Sequence, residues 1–285
     1  MNKEFKRLAY PYSVWLYVLA LFPALVMILL IFLDIRGIKF EEATFTFDNF
    51  AFLGEKSTYK AFGYSFLFAF ITMAICWFLG YLVAYWVFRS HFKNKFVILT
   101  ILILPMWSNI LLRNEALKNI LEPNNIIQDL LSKIGIGYGI DIYSLGLWEN
   151  AGYHFAIIIG LVITYLPFMI LPIYTALEKI DYSLEEAAID LGASDLQKFW
   201  RVIFPLSLKG LITGSIMVFL PSMSGFAIPE IVGKGKVVLV GKIIEQSFMY
   251  TNYNLGSMLA IIVLVLILGS LFIVNKVDKE GETLL

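Results

Sequence analysis

The chain has 285 residues, of which 59% are hydrophobic and only 15% charged, with a mean hydropathy of +0.79. Soluble domains average about 45–50% apolar and about 25% charged residues, so this composition predicts a polytopic membrane protein. The formal net charge of zero leaves no basic footprint for nucleic acid. One cysteine, Cys76, and two distant histidines, His91 and His154, supply neither a disulfide nor metal-ligand spacing.

A short N-terminal tail, residues 1–12, carries Lys3, Lys6 and Arg7. The first apolar run, about Val14 to Leu33, is longer than the 7–15 residues of a signal-peptide core and is read as a retained helix. Six segments hold close to the ~20 apolar residues that a crossing requires. They run approximately over 13–34, 61–88, 95–113, 151–177, 206–229 and 255–275, followed by a tail at 276–285. The expectation is an all-α membrane domain over 13–275 with six transmembrane helices. Between the first two spans, Ala43-Thr44-Phe45-Thr46-Phe47 alternates as a strand does. In 115–135, two amphipathic pieces flank Pro123-Asn124-Asn125 and are expected to lie at the membrane interface.

Lys and Arg set the orientation. Twelve of the 22 fall in the tails and in the short loops on the tail side; the other ten are spread over longer loops, mixed with acids. Density favours both termini inside.

One loop does not fit a purely membrane-bound chain. Residues 182–205 form a polar insert between the fourth and fifth spans. Ser183 with Glu186, and Ser194 with Gln197, each match the capping-box pattern that satisfies two free backbone N–H groups. Gly192 stands between them, where left-handed backbone ends a helix. Pro205 is expected to stop the second helix. Ala187 and Ala188 leave room for close approach, while Phe199, Trp200 and Ile203 offer an apolar face for anchoring. This helix–turn–helix reads as a surface gripped by a soluble partner.

Glu186-Ala187-Ala188, three residues, Gly192, nine residues and Val202-Ile203-Phe204-Pro205 closely resemble the cytoplasmic signature of ATP-binding-cassette (ABC) importer permeases. Val202 and Phe204 replace the usual Ile and Leu. Leu104-Pro105-Met106-Trp107-Ser108-Asn109, Pro167 to Pro172, Asp190 to Ser194, Pro205 to Leu208 and Pro221 to Ser224 extend the likeness to permeases of spermidine/putrescine importers. Arg113 to Leu117 departs from that pattern. The resemblance implies a type I importer permease (MetI-like) of a bacterial inner membrane. It implies that 182–205 docks on a dimer of ATPase subunits through Ser183, Glu186, Ala187, Ala188, Gly192, Ser194 and Pro205. A second, related permease and an extracytoplasmic solute-binding protein complete the implied assembly.

ATP and magnesium belong to the ATPase in that scheme, and no cofactor or catalytic residue to this chain. Gly233-Lys234-Gly235-Lys236 lacks the spacing and hydroxyl of a phosphate-binding loop. The fifth span is rich in Gly, Ser, Thr and Pro, which suits helix packing and pore lining alike. A polyamine needs carboxylates or aromatic faces to offset its lost hydration. Candidate pathway residues are Trp107, Asn109, Tyr165, Phe219, Phe226 and Glu230, with Glu245 a further acid. The rival class is a self-contained secondary transporter or a membrane scaffold. Inverted repeats and intramembrane acids would mark the transporter, and neither stands out.

Overall fold

The computed structural model describes residues 3–34, 44–123, 125–133 and 141–277. Ala43, Asn124 and residues 278–285 of the expected tail lie outside the described residues. Five helices among those described are long and apolar enough to cross a membrane: Tyr10–Ile31, Lys56–Arg89, Ala151–Glu178, Asp195–Ser224 and Tyr253–Phe272. A sixth crossing comes from Lys95–Trp107 and Ile110–Leu121, two helices bent by 94° at a short break. The chain divides into two compact units.

The first unit comprises Met1–Phe62 and Val240–Leu268. Helices α1 (Lys3–Leu16) and α2 (Phe22–Ile31) are joined by a π turn, Tyr17–Leu21. No charge interrupts residues 8–33, so the backbone satisfies itself as a helix. The wider turn makes room for the Pro23 ring, which would otherwise meet the carbonyl four residues earlier. Strand β1 (Leu33–Asp34) pairs antiparallel with β2 (Thr44–Phe45), so the expected alternation does form a short ribbon. The Asn49 amide donates to the Ile31 carbonyl (2.7 Å) and accepts from Asn254 (3.5 Å). Helix α13 (Tyr253–Val277) supplies Met258 and Leu259, which are buried with Ile31, and α12 (Val240–Met249) packs Ile243 and Ile244 against them.

The second unit comprises Gly63–Leu239 and Gly269–Leu285. It takes most of α3 (Lys56–Arg89), then α4 (Lys95–Ile103), α5 (Ile110–Leu121), α6 (Ile126–Lys133), α7 (Ala151–Glu178), α8 (Tyr182–Asp190), α9 (Asp195–Lys198), α10 (Phe204–Ser224) and α11 (Ala227–Ile231). Helix α7 is its centre: 56% of its most apolar stretch is buried, against 28% for α3 and for Asp195–Ser224.

Small residues let α10 lie against α7. A Cβ at Gly210 would stand 2.4 Å from the Pro172 carbonyl oxygen, and one at Gly214 2.7 Å from the Met169 sulfur. Hydroxyls join α10 to α3: Trp77 Nε1 donates to Ser215 Oγ (2.7 Å), and Tyr81 bonds Ser207 (2.8 Å). Helix packing, the arrangement expected where lipid supplies no hydrophobic drive, therefore accounts for these residues of the fifth span.

Several boundaries differ from the sequence expectation. The third span does not end at 113; beyond the bend α5 continues to Leu121. The expected interfacial pieces become α5 and α6. The fifth span begins at Asp195 rather than 206 and stops at Ser224, with α11 a separate short helix.

Candidate coupling and transport site

Helix α8 begins at Tyr182, and its cap is Asp181: the carboxylate accepts the Ser183 N–H at 2.9 Å. That bond holds the Asp181 carboxyl below its ordinary pKa. The expected box at Ser183 and Glu186 does not form, because an anion two residues earlier suits the positive helix end better than a hydroxyl. Ser183 lies exposed in the first turn.

The helix ends as the glycine foretold. Gly192 has φ +78°, and the Ala193 N–H reaches the Ala188 carbonyl (3.0 Å) while that of Gly192 reaches Ile189 (2.8 Å). This is a left-handed glycine closing a Schellman-type turn. Ser194 then caps α9 in the expected reciprocal box with Gln197.

Pro205 does not stop the chain. Phe199–Ile203 widen into a π turn, and the helix runs on as α10 with Pro205 in its first turn. This repeats the device before Pro23. The connection from knuckle to membrane is thus a continuous helix, Asp195–Ser224. Ile203 is fully buried and Phe199 packs on Tyr81 and Tyr85, as expected of anchors. Trp200, 56% exposed, does not anchor.

The knuckle has two faces. Glu185 and Ala188 point inward, whereas Glu186 and Ala187 are exposed. Leu191 (88% exposed) and Leu196 (68%) extend the outer face, leaving apolar surface beside a carboxylate.

Inside, Glu185 is only 3% exposed. Its carboxylate takes the Arg89 guanidinium at 2.6 Å and has Lys198 Nζ at 3.8 Å. Arg89 ends α3 and also donates to the Tyr85 hydroxyl (3.2 Å). One buried carboxylate therefore ties α8 to α3 and to the root of α10. Sequence reasoning passed over Glu185, Arg89 and Lys198. The only signal was the doubled acid Glu185-Glu186, whose members point 100° apart on a helix.

The pathway candidates are scattered. Trp107, 87% exposed, and Asn109 flank the 94° bend. Asn109 caps α5 by accepting from the N–H groups of Leu111 and Leu112. Arg113 Nη1 closes the bend on the Pro105 carbonyl (2.7 Å). Tyr165 is buried, and its hydroxyl donates to the Pro221 carbonyl (3.4 Å) beside Gly225, while Phe226 is exposed at the start of α11. Phe219 turns to Phe66. Glu230 is exposed on α11, so it lacks the burial that marks an intramembrane acid as functional. Glu245 meets Lys242 at 3.0 Å.

A cleft of about 700 Å³ lies instead beside the knuckle, where Asp181, Leu184 and Lys209 meet Met106, Pro172 and Met217. None of the six candidates lines it. Asn114 is fully buried on α5, and neither side-chain polar atom has a partner among the described residues.

The model of the family described as "Binding-protein-dependent transport system inner membrane component" matches residues 2–280. The chain belongs to this family. It is the permease subunit of an ABC importer and a multi-pass membrane protein. This permease is 35% identical to the spermidine/putrescine transport system permease protein PotB of Haemophilus influenzae over 267 residues, 93% of this chain and 91% of that protein. It is 33% identical to PotB of Escherichia coli K12, covering 93% of this chain and 98% of that protein. A crystal structure of a bacterial ABC transporter importing alginate matches with a TM-score of 0.75 at 17% identity, over 97% of this chain and 95% of that one. That likeness concerns the fold. The self-contained transporter and the scaffold give way to the importer subunit.

Proposed function

We propose that this permease forms half of the membrane pathway of a polyamine importer for spermidine or putrescine. The observation that carries this is the likeness to PotB proteins at 33–35% identity over 93% of the chain. A second, related permease forms the other half. A solute-binding protein delivers substrate from outside, and both chain termini lie inside, on the side of the α8–α9 knuckle. An even number of crossings and the denser positive charge on that side support this orientation.

A pair of ATPase subunits grips the exposed face around Glu186, Ala187, Gly192 and Leu191. When ATP closes that pair, α8 moves as a unit. The Schellman turn and the Ser194 box keep the knuckle stiff, and Glu185 passes its displacement to Arg89 on α3 and to Lys198 at the root of α10. Coupling is a population shift: nucleotide biases the bundle toward one access state by binding it differentially. The chain itself makes and breaks no covalent bond in this scheme.

The test is reconstitution in proteoliposomes with candidate ATPase, permease and binding-protein subunits, followed by ATP-driven uptake of labelled spermidine and putrescine. Uptake that requires ATP and all subunits is the expected result. An assembled, ATP-hydrolysing complex that takes up neither amine would overturn the substrate assignment.

A further inference from the structure

At the opposite end of α7 from the knuckle, three elements of the second unit converge on one lysine. Lys234, just beyond α11, places its Nζ 2.8 Å from Glu122 Oε1 and 4.2 Å from the centre of the Tyr143 ring. A carboxylate on one side and an aromatic face on another make an ammonium site, and here the ammonium belongs to the chain. The cage does not depend on its occupant. Asp141 accepts the Tyr143 N–H (3.0 Å), and the Tyr143 hydroxyl donates to the Val232 carbonyl (2.8 Å). Asn125 Nδ2 holds the backbone of Glu122 by donating to its carbonyl (2.8 Å) and to that of Ile120 (2.7 Å). Burial and the surrounding carboxylates, Glu122 foremost, push the Tyr143 phenol up to about 12, so the ring stays neutral at physiological pH.

The occupant is held less firmly than the cage. The Lys234 and Glu122 side chains are 36% and 33% exposed, so water and salt reach the pair. A free alkylammonium can make the same two contacts.

We propose that Glu122 and Tyr143 form an alkylammonium-binding site, filled at rest by Lys234, where a primary ammonium of the incoming polyamine displaces the lysine. The natural ligand rests on the polyamine reading; the site itself does not. Lys234 acts as a tethered competitor, so the apparent affinity for any free ammonium is reduced by the fraction of time the cage stands open.

The experiment uses the assembled complex in detergent, without ATP or binding protein, and two probes. Methylammonium, followed by saturation-transfer NMR, reports the cage alone; putrescine, followed by calorimetry, reports the substrate. If Lys234 fills the cage about nine-tenths of the time, K234M and K234Q should bind both probes roughly tenfold more tightly than the wild type. K234R, which keeps a competing cation, should stay near the wild type, and E122Q/K234M should lose the gain. Equal methylammonium affinity in wild type, K234M and K234Q overturns the inference. Tighter methylammonium binding without any putrescine uptake by the reconstituted complex leaves the cage standing and removes the polyamine reading.

Discussion

Replacing Arg89 by alanine tests the brace behind the coupling knuckle. The substitution takes the nearest cation from a Glu185 carboxylate that is 3% exposed and leaves it only Lys198, 3.8 Å away. Breaking a buried pair by removing one partner costs about 3–5 kcal/mol. Here Lys198 still offsets part of the stranded charge, and Arg89 is 35% exposed, so it gave up only part of its hydration in the pair. We therefore expect a loss of about 2–3 kcal/mol, or roughly 3–5 °C in the thermal transition of a chain this size. The R89M/E185L double variant strands no carboxylate and should recover most of that loss. Thermal unfolding of the purified complex, followed by tryptophan fluorescence, measures both. Transport gives a separate readout: the double variant should assemble with its ATPase yet hydrolyse more ATP per amine imported, because the link from α8 to α3 is gone. An Arg89→Ala loss below about 0.5 kcal/mol, the scale of an ordinary surface change, or a double variant as unstable as the sum of the singles, would refute the brace.

Gly192→Val places a β-branched residue at φ +78°, where a Cβ meets nothing within 4 Å, so the penalty is backbone strain of about 1–2 kcal/mol rather than a clash. Uptake should fall while membrane insertion, scored by protease protection, is unchanged. Asp181→Ala removes the cap of α8, and hydrogen exchange at the first amides of that helix should quicken. Because the folded carboxyl lies below its ordinary value of 3.8, the cap contributes fully above that value and is lost as pH falls through the depressed one. The same amides should therefore stay protected at neutral pH and lose that protection only in strong acid, after correction for the intrinsic exchange rate. Asn114→Leu replaces a fully buried amide with no partner among the described residues and should stabilise the complex by about 1–3 kcal/mol. A lower transition temperature would show that the amide is satisfied within the assembly.

Much of the membrane architecture was legible because it rests on local chemistry. Runs of apolar residues long enough to span hydrocarbon can satisfy their backbones only as helices, so six crossings follow from composition and length. Gly192 and the Ser194–Gln197 box were equally legible, since a left-handed turn and a reciprocal cap involve residues close in sequence. Proline misled. The loss of one backbone bond at Pro205 suggested a stop, but a π turn absorbs the ring and carries the helix into the membrane.

What tertiary structure alone decided is which polar groups meet. Glu185 and Glu186 are neighbours of one kind; one braces the bundle and the other faces outward because Arg89, 96 residues earlier, ends α3 beside the first. Glu122, Tyr143 and Lys234 come from three separate segments, and no spacing along the chain predicts their convergence at one end of α7. The sequence by itself determined the number of spans, the cytoplasmic-type signature and the stiff turn within it. The tertiary fold decided which charges are buried, because ion pairs form between groups brought close in space, and separation along the chain says little about that distance.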